Sequence, residues 1–293
     1  MFVNKEDNSL TIADKWDTTL FPPSKFEPIG IVVIPNYHGV LKDRTGTKNQ
    51  CGVMSIVPMN CSTPTTGGTS EQGMYWGDTY SNPTGRYYKK VVKSSSNTPN
   101  VADGLSGSSY ILRQDSVGGT PKKSSAPFCP SPYIGEDFKS GGYNESYGTT
   151  KFDTSSDKNA LSDFDGIDNT DKILAERGLK DYGSWKPSTN DQSDYPAASC
   201  CDMFYTIGTK QGDWYLPSAG EFGYIIPRLY DINDTIGKLN TAYGVGVQLS
   251  TDGYFWTSSE YSDYNARDVY MPYGHANYYN KDGWCIVRAF MRL

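Results

Sequence analysis

Apolar residues fall into three patterns along this chain, and each predicts a different kind of element. Residues 29–34 (Ile-Gly-Ile-Val-Val-Ile) form a short unbroken run closed by Pro35, the pattern of a strand buried on both faces. Gly52–Val57 repeats it and stops at Pro58, and the polar stretch 36–50 between them reads as a loop. Helical spacing appears late. Ala197, Cys200, Cys201 and Phe204 recur at i, i+3, i+4 and i+7 behind Pro196, a residue suited to the first helical position. Ser218-Ala-Gly-Glu221 then reads as a capping box, in which the Ser hydroxyl and the Glu carboxylate each accept a backbone N–H that the helix start would leave unpaired. Phe222, Ile225, Ile226 and Leu229 give that helix one apolar face. Pro227 should kink it, and a further stretch through Ile232, Ile236 and Leu239 should end at Gly244. The C-terminal part returns to strand. Tyr254–Thr257 is aromatic, and Cys285–Leu293 alternates, with Val287, Ala289 and Met291 on one face and Ile286, Arg288, Phe290 and Arg292 on the other. A strand this regular is expected to lie inside a sheet beside 29–34, which would bring the chain ends together.

The first 27 residues are polar but hold Trp16, Leu20, Phe21 and Phe26, enough apolar area to dock on a core. The chain therefore divides into an N-terminal segment, 1–27, docked on one domain, 28–293. From about 60 to 160, Gly, Ser, Thr, Pro and Asn dominate, as in disordered segments. Aromatic clusters such as Met74-Tyr75-Trp76 favour long ordered loops wrapped on the core instead.

Composition narrows the chemistry. The chain has 293 residues, a net charge of −6, and a mean hydropathy of −0.58 with a pI near 5.0. An acidic chain of this kind is not expected to bind nucleic acid or an anionic membrane surface. No apolar run is long enough to insert in a bilayer, and the start, MFVNKEDNSL, lacks the basic patch and apolar run of a signal peptide. Assembly in the cytoplasm is therefore expected. The 23 Tyr, 30 Gly and 17 Pro suit a loop-rich β protein with a tyrosine-rich surface. His38 and His275 stand in unrelated contexts, which argues against multi-histidine metal sites. Of the six cysteines, none forms a CxxC pair, and reduced, mostly buried thiols are expected. The vicinal Cys200 and Cys201 read as core-facing helical residues, with a redox switch as the alternative.

Catalytic motifs are missing from the sequence: no GxSxG elbow, P-loop, GxGxxG fingerprint or HExxH is present. One acidic cluster, Asp163-Phe-Asp165-Gly-Ile-Asp168-Asn-Thr-Asp171, spaces carboxylates around a glycine as a calcium loop does. Asp163, Asp165 and Asp168 are its candidate ligands. The spacing is not that of an EF-hand, and the competing reading is a turn leading to a capped helix at 171–177 with Gly178 as its stop.

The segment 261–284 is unlike the rest. It holds six tyrosines (261, 264, 270, 273, 278, 279), three asparagines, three aspartates, His275 and Trp284, with Val269 and Met271 as its large aliphatics. Tyr and Trp present amphipathic area at low entropic cost, and Asn, Ser and Gly add adaptable hydrogen bonds, which is how antibody-type surfaces are composed. An aromatic β-hairpin with no binding role is the alternative.

Three stretches around this segment carry a family resemblance. Gly212-Asp213-Trp214-Tyr215-Leu216-Pro217-Ser218-Ala219-Gly220-Glu221, Phe255-Trp256-Thr257-Ser258-Ser259-Glu260-Tyr261-Ser262 and Val287-Arg288-Ala289-Phe290 follow one another in that order. Together they resemble the C-type-lectin-like domain of variable proteins from diversity-generating retroelements of phages and gut bacteria. Residues 28–35, Met74-Tyr75-Trp76-Gly77 and Leu161–Gly166 are similar to the gut-associated branch. The resemblance implies an α+β, C-type-lectin-like fold with two helices, a small mostly antiparallel sheet and long inserted loops.

In that family a reverse transcriptase rewrites adenines in a repeat at the 3′ end of the gene, turning Asn codons into Tyr, Asp, His or Ser. The resemblance thus implies a variable region at about 263–284, on an exposed face. Its candidate ligand-binding positions are Tyr264, Asn265, Arg267, Asp268, Tyr270, Met271, Tyr273, His275, Asn277, Tyr278, Tyr279, Asp282 and Trp284. The scaffold positions would be Ser258, Ser259, Glu260, Tyr261, Ala266, Val269, Gly274, Lys281 and Val287. Neither Glu-Pro-Asn nor Gln-Pro-Asp, the triplets of calcium-dependent sugar sites on this fold, occurs here, so no cofactor is implied. The expected function is non-enzymatic receptor binding on a phage tail, in the virion. Its partners would be a host cell-surface protein or glycan, other tail proteins and further copies of itself, as in a trimer. A bacterial cell-surface adhesin is the alternative. An enzyme on the scaffold of formylglycine-generating enzymes is the distant one, because that activity needs two cysteines near the C-terminus and Cys285 stands alone there.

Overall fold

The apolar run at 29–34 does become a strand, and the sheet built on it organises the molecule. The structure, a computed structural model, describes residues 1–36, 39, 41–43, 45–60, 62–77, 83, 110–111, 163–175, 195–225, 228–271 and 275–293, with 110–111 and 275–277 described as backbone. Three sheets and four helical segments make up the described residues, with helices and mostly antiparallel strands segregated along the chain in the α+β manner.

The first sheet belongs to the N-terminal segment and runs β2 (Leu10–Thr11), β1 (Phe2–Asn4), β3 (Phe26–Pro28). Its aromatic residues pack as the sequence suggests: the Phe2 ring stacks 4.5 Å from Phe21, and Phe2 and Trp16 both lie against Tyr243 of a C-terminal helix. Leu20 is the exception and points outward, 63% exposed.

The second sheet runs β4 (Gly30–Ile34), β5 (Gly52–Ser55), β13 (Phe290–Arg292), β8 (Trp214–Tyr215). The C-terminal strand therefore pairs with β5 and β8 rather than beside 29–34. Nor is 285–293 one strand. Cys285–Ile286 forms β12 in the third sheet, and Phe290–Arg292 forms β13 in the second. The expected alternation still holds across the break, because both faces are buried. Val287, Ala289 and Met291 enter one apolar core, and Phe290 enters the other with Ile286 packed against it. The charged residues on that second face are neutralised in place: Arg288 donates to Glu71 at 2.7 Å and Arg292 to Glu221 at 2.9 Å.

The third sheet has the order β6 (Gly73–Met74), β12, β9 (Tyr254–Glu260), β10 (Asn265–Tyr270), β11 (His275–Asn280), β7 (Tyr110–Ile111). Both edge strands come from the loop-rich stretch at 60–160, whose other residues, outside 62–77 and 83, are mostly beyond those described.

The helical segments are α1 (Gly166–Ala175), α2 (Pro196–Met203), α3 (Ala219–Gly223) and α4 (Leu229–Tyr243), four where two were expected. Helix α1 begins five residues before the capped helix expected at 171–177, and Gly178 lies outside the described residues. Pro196 takes an early helical position, and Cys200 and Cys201 are both fully buried. Ser218 and Glu221 form the full capping box of α3. Regular helix stops at Gly223 and resumes at Leu229; residues 226–227, with the proline expected to kink it, are not among those described. Gly244 ends α4 at φ 73°, a left-handed turn that a β-carbon would disfavour.

Candidate aromatic binding face

Side chains alternate along a strand, so residues opposite one another on neighbouring strands share a face. In the third sheet Asp268 lies opposite Trp256 of β9 and Asn277 of β11. Tyr270 lies opposite Tyr254 and His275, and Ala266 opposite Tyr279. That register gathers an aromatic group on one face. The Tyr254 and Tyr270 rings stack at 4.2 Å, and Tyr279 lies 6.3 Å from both Tyr254 and Trp256. Trp284 stands edge-on to Tyr75 at 5.1 Å, across the β12–β6 edge. Tyr254, Tyr279 and Trp284 are 39%, 49% and 53% exposed. Gly283 makes room for this layer, since a β-carbon there would fall 2.1 Å from Cε1 of Tyr279. Tyr254 and Tyr75 lie outside 261–284 and composition did not single them out; the cross-strand partnership with Tyr270 is what recruits Tyr254.

The candidate positions divide. Tyr264, Asn265, Tyr270, Tyr278 and Asp282 are half-buried, and Tyr279 and Trp284 are exposed. The Tyr264 hydroxyl accepts from Asn280 Nδ2 at 3.2 Å. Tyr273 lies outside the described residues; His275 and Asn277 are placed in β11 by their backbone.

Arg267, Asp268 and Met271 correct the expectation of a wholly solvent-facing set, because all three are fully buried. Alternation accounts for Arg267 and Met271, which share the inward face of Val269, but not for Asp268, which lies on the other face. Met271 and Val269 join the core containing Phe222, Phe255 and Phe290. Arg267 lies with its guanidinium 4.7 Å from the ring centre of Tyr261 and 5.9 Å from that of Tyr278, and these two rings stack at 4.1 Å. Burial pulls its pKa down to about 10, opposed by Tyr261 and by Asp268. Asp268 is buried on the aromatic face, and neither carboxylate oxygen is bonded to another side chain among the described residues. Burial pushes its pKa up to about 7, opposed in part by its own backbone amide and then by Arg267. The charge of Asp268 and burial together push the Cys285 thiol upward, burial being the larger cause. Burial, followed by Tyr270, raises the Tyr254 hydroxyl to about 12.

Beneath the face lies a buried frame made of most of the expected scaffold positions; Tyr261 is half-buried, and Gly274 lies outside the described residues. Ser258, Ser259, Glu260, Ala266, Val269, Lys281 and Val287 are all fully buried. Lys281 Nζ is 2.6 Å from Glu260 Oε1 and 4.7 Å from the ring centre of Trp76, whose indole N–H donates to the Thr257 carbonyl. Ser259 Oγ donates to Asp163 Oδ2 at 2.6 Å and accepts from the Ala219 amide at 2.9 Å. Ser218 Oγ donates to the Asp163 carbonyl.

Asp163 is thus a structural carboxylate rather than one of three converging ligands. It accepts from Asn169 Nδ2 and Ser259, and burial raises its pKa. Asp168 pairs instead with Lys172 at 2.9 Å on the exposed side of α1. Among the described residues no group of three or more His, Cys, Asp or Glu is placed to hold a metal ion. Their helices also include none long and apolar enough to cross a membrane.

No family model and no curated protein matches the sequence. A fimbrial protein from Bacteroides ovatus ATCC 8483, known from a crystal structure at 1.85 Å resolution, is similar at a TM-score of 0.41 and 15% identity. The match covers 90% of this chain and 44% of that one, so this chain spans less than half of that protein's length.

Proposed function

We propose that this chain is a non-enzymatic binding protein on a C-type-lectin-like scaffold, with the aromatic face of the third sheet as its diversified ligand surface. In this reading it is the receptor-binding protein of a phage tail, and its ligand is a protein or glycan of the host cell surface. One observation carries the reading: Ser258, Ser259, Glu260, Ala266, Val269 and Lys281 are buried while Tyr254, Tyr270 and Tyr279 gather on one face of the third sheet, with Trp284 exposed against Tyr75 at its edge. Broad, rigid aromatic area with little side-chain entropy to lose suits recognition of another surface. The contact set on this face is Tyr254, Tyr270 and Tyr279; Asp282 and Trp284 lie beyond the end of β11, and Tyr264, Asn265 and Tyr278 lie with Arg267 toward the other face of the hairpin. Burial raises the Cys285 thiol pKa, which disfavours that one residue as a nucleophile.

The test is binding of labelled protein to a panel of gut bacterial strains. The variant Tyr254→Ser/Tyr270→Ser/Tyr279→Ser/Trp284→Ser should lose binding to strains that take up the parent protein. Equal binding by the two would overturn the reading. The gene neighbourhood separates virion from cell surface: tail genes support the phage, and an upstream secretion signal supports a bacterial adhesin.

A further inference from the structure

A carboxylate stripped of water and left without hydrogen bonds is costly, and proteins keep such groups neutral or pair them. Asp268 is buried on the aromatic face with neither oxygen bonded to another side chain among the described residues, while the other buried acids among them, Asp163, Asp202, Glu221 and Glu260, all have partners. Arg267, its neighbour in sequence, projects to the opposite face and packs with Tyr261 and Tyr278. Beside Asp268 the cross-strand register sets Trp256, and one same-face pair further along sets the stacked Tyr254 and Tyr270, with Tyr279 near Tyr254 and Trp256. Ring faces attract cations, and a carboxylate attracts them more strongly at short range in a dry site. A neutral hydroxyl donor would satisfy one oxygen and leave the charge, whereas an ammonium or guanidinium answers both. The net charge of −6 favours the same sign of ligand at longer range.

We propose that the Tyr254–Tyr270–Tyr279 group and Asp268 form a subsite for an organic cation, the side-chain ammonium or guanidinium of a lysine or arginine on the partner's surface. The inference rests on the reading of this face as the binding surface and names the chemistry it selects. Asp268 is fully buried, so access would require a ring to move aside; Tyr279, 6.3 Å from Trp256 and exposed at the sheet surface, is the ring we assign to that role. The ligand cation would then replace water at the rings and form charge-assisted hydrogen bonds to Asp268, which no side chain among the described residues does.

The experiment is NMR titration of the full chain with blocked lysine and blocked arginine. Blocked norleucine serves as the neutral isostere, choline as a free or headgroup cation, and methyl glucoside as a neutral sugar. The expected result is that the lysine or arginine probe shifts the tyrosine ring signals of 254, 270 and 279, and binds about tenfold more tightly than norleucine. Asp268→Asn should abolish that preference, and Asp234→Asn, on the far helix α4, should leave it intact. Tyr279→Leu supplies a second test that keeps Asp268 in place, and it should weaken the cation probes more than norleucine. Choline binding as tightly as the lysine probe would move the source to a free cation or headgroup and overturn the partner side chain. Methyl glucoside binding at these rings without any cation preference would overturn the cation and leave the binding face standing. No probe shifting any ring, in a protein whose cell binding depends on the four aromatic residues, would overturn the subsite alone. Cell binding indifferent to those residues would overturn both.

Discussion

Asp268 and Arg267 are adjacent in sequence and opposite in charge, yet strand alternation sends them to opposite faces of the sheet. Asp268 then meets a dry environment with no side-chain partner among the described residues, and its pKa rises from the ordinary carboxylate value to about 7. The direction fixes how stability depends on pH. In the unfolded chain Asp268 ionises near pH 4, while the folded protein holds its proton until about pH 7. Between these values unfolding releases a proton, so this group's contribution to stability falls as pH rises from about 4 to about 7 and levels off above. Asp268→Asn removes that dependence. In chemical denaturation at pH 4, 5.5 and 7.5, the variant should gain steadily on the parent, with the largest gain at pH 7.5. A parent-minus-variant difference independent of pH would contradict the buried, unpaired carboxylate.

At the level of elements, the frame beneath the aromatic face depends on buried polar groups paired with one another. Lys281, just after β11, reaches Glu260 at the end of β9, and both side chains are fully buried with the ammonium over the Trp76 ring. Removing one partner of such a pair leaves a desolvated charge, at a cost of about 3–5 kcal/mol. Lys281→Met should therefore destabilise by about that amount. Adding Glu260→Gln to it should recover a large part of the loss, because no charge is then stranded. Urea unfolding of the two single variants and the double variant gives the coupling directly. The helix elements needed less tertiary help. The box at Ser218 and Glu221 and the stop at Gly244 both formed from local chemistry, and these were the parts most readable in the sequence.

For the whole molecule, the arrangement separates a part that can vary from a part that cannot. A display library randomising Tyr270, Tyr279, Asp282 and Trp284 should keep mostly folded, protease-resistant members, since surface changes away from special features shift stability by about 0.5 kcal/mol or less. A library randomising Arg267, Val269 and Met271 should lose most of its members, because each change opens a cavity or strands a charge in the core. Similar survival in the two libraries would remove the distinction between frame and surface. The same separation explains why the expected binding set was only partly right. Composition identified 261–284 as unusual without stating which residues of a strand face inward.

What the sequence determined by itself was local: the apolar runs that became β4 and β5, the capped start of α3, the stop of α4, and the aromatic character of 254–284. Each follows from periodicity, capping geometry or residue type within a few positions. The tertiary structure decided the rest. It split 285–293 between two sheets, brought Tyr254 against Tyr270, and made Asp163 a buried linker of α1, α3 and β9. It also buried Asp268 without a side-chain partner among the described residues. These outcomes depend on strand order and register, and register depends on which strands lie side by side, a matter of contacts between residues far apart in the chain.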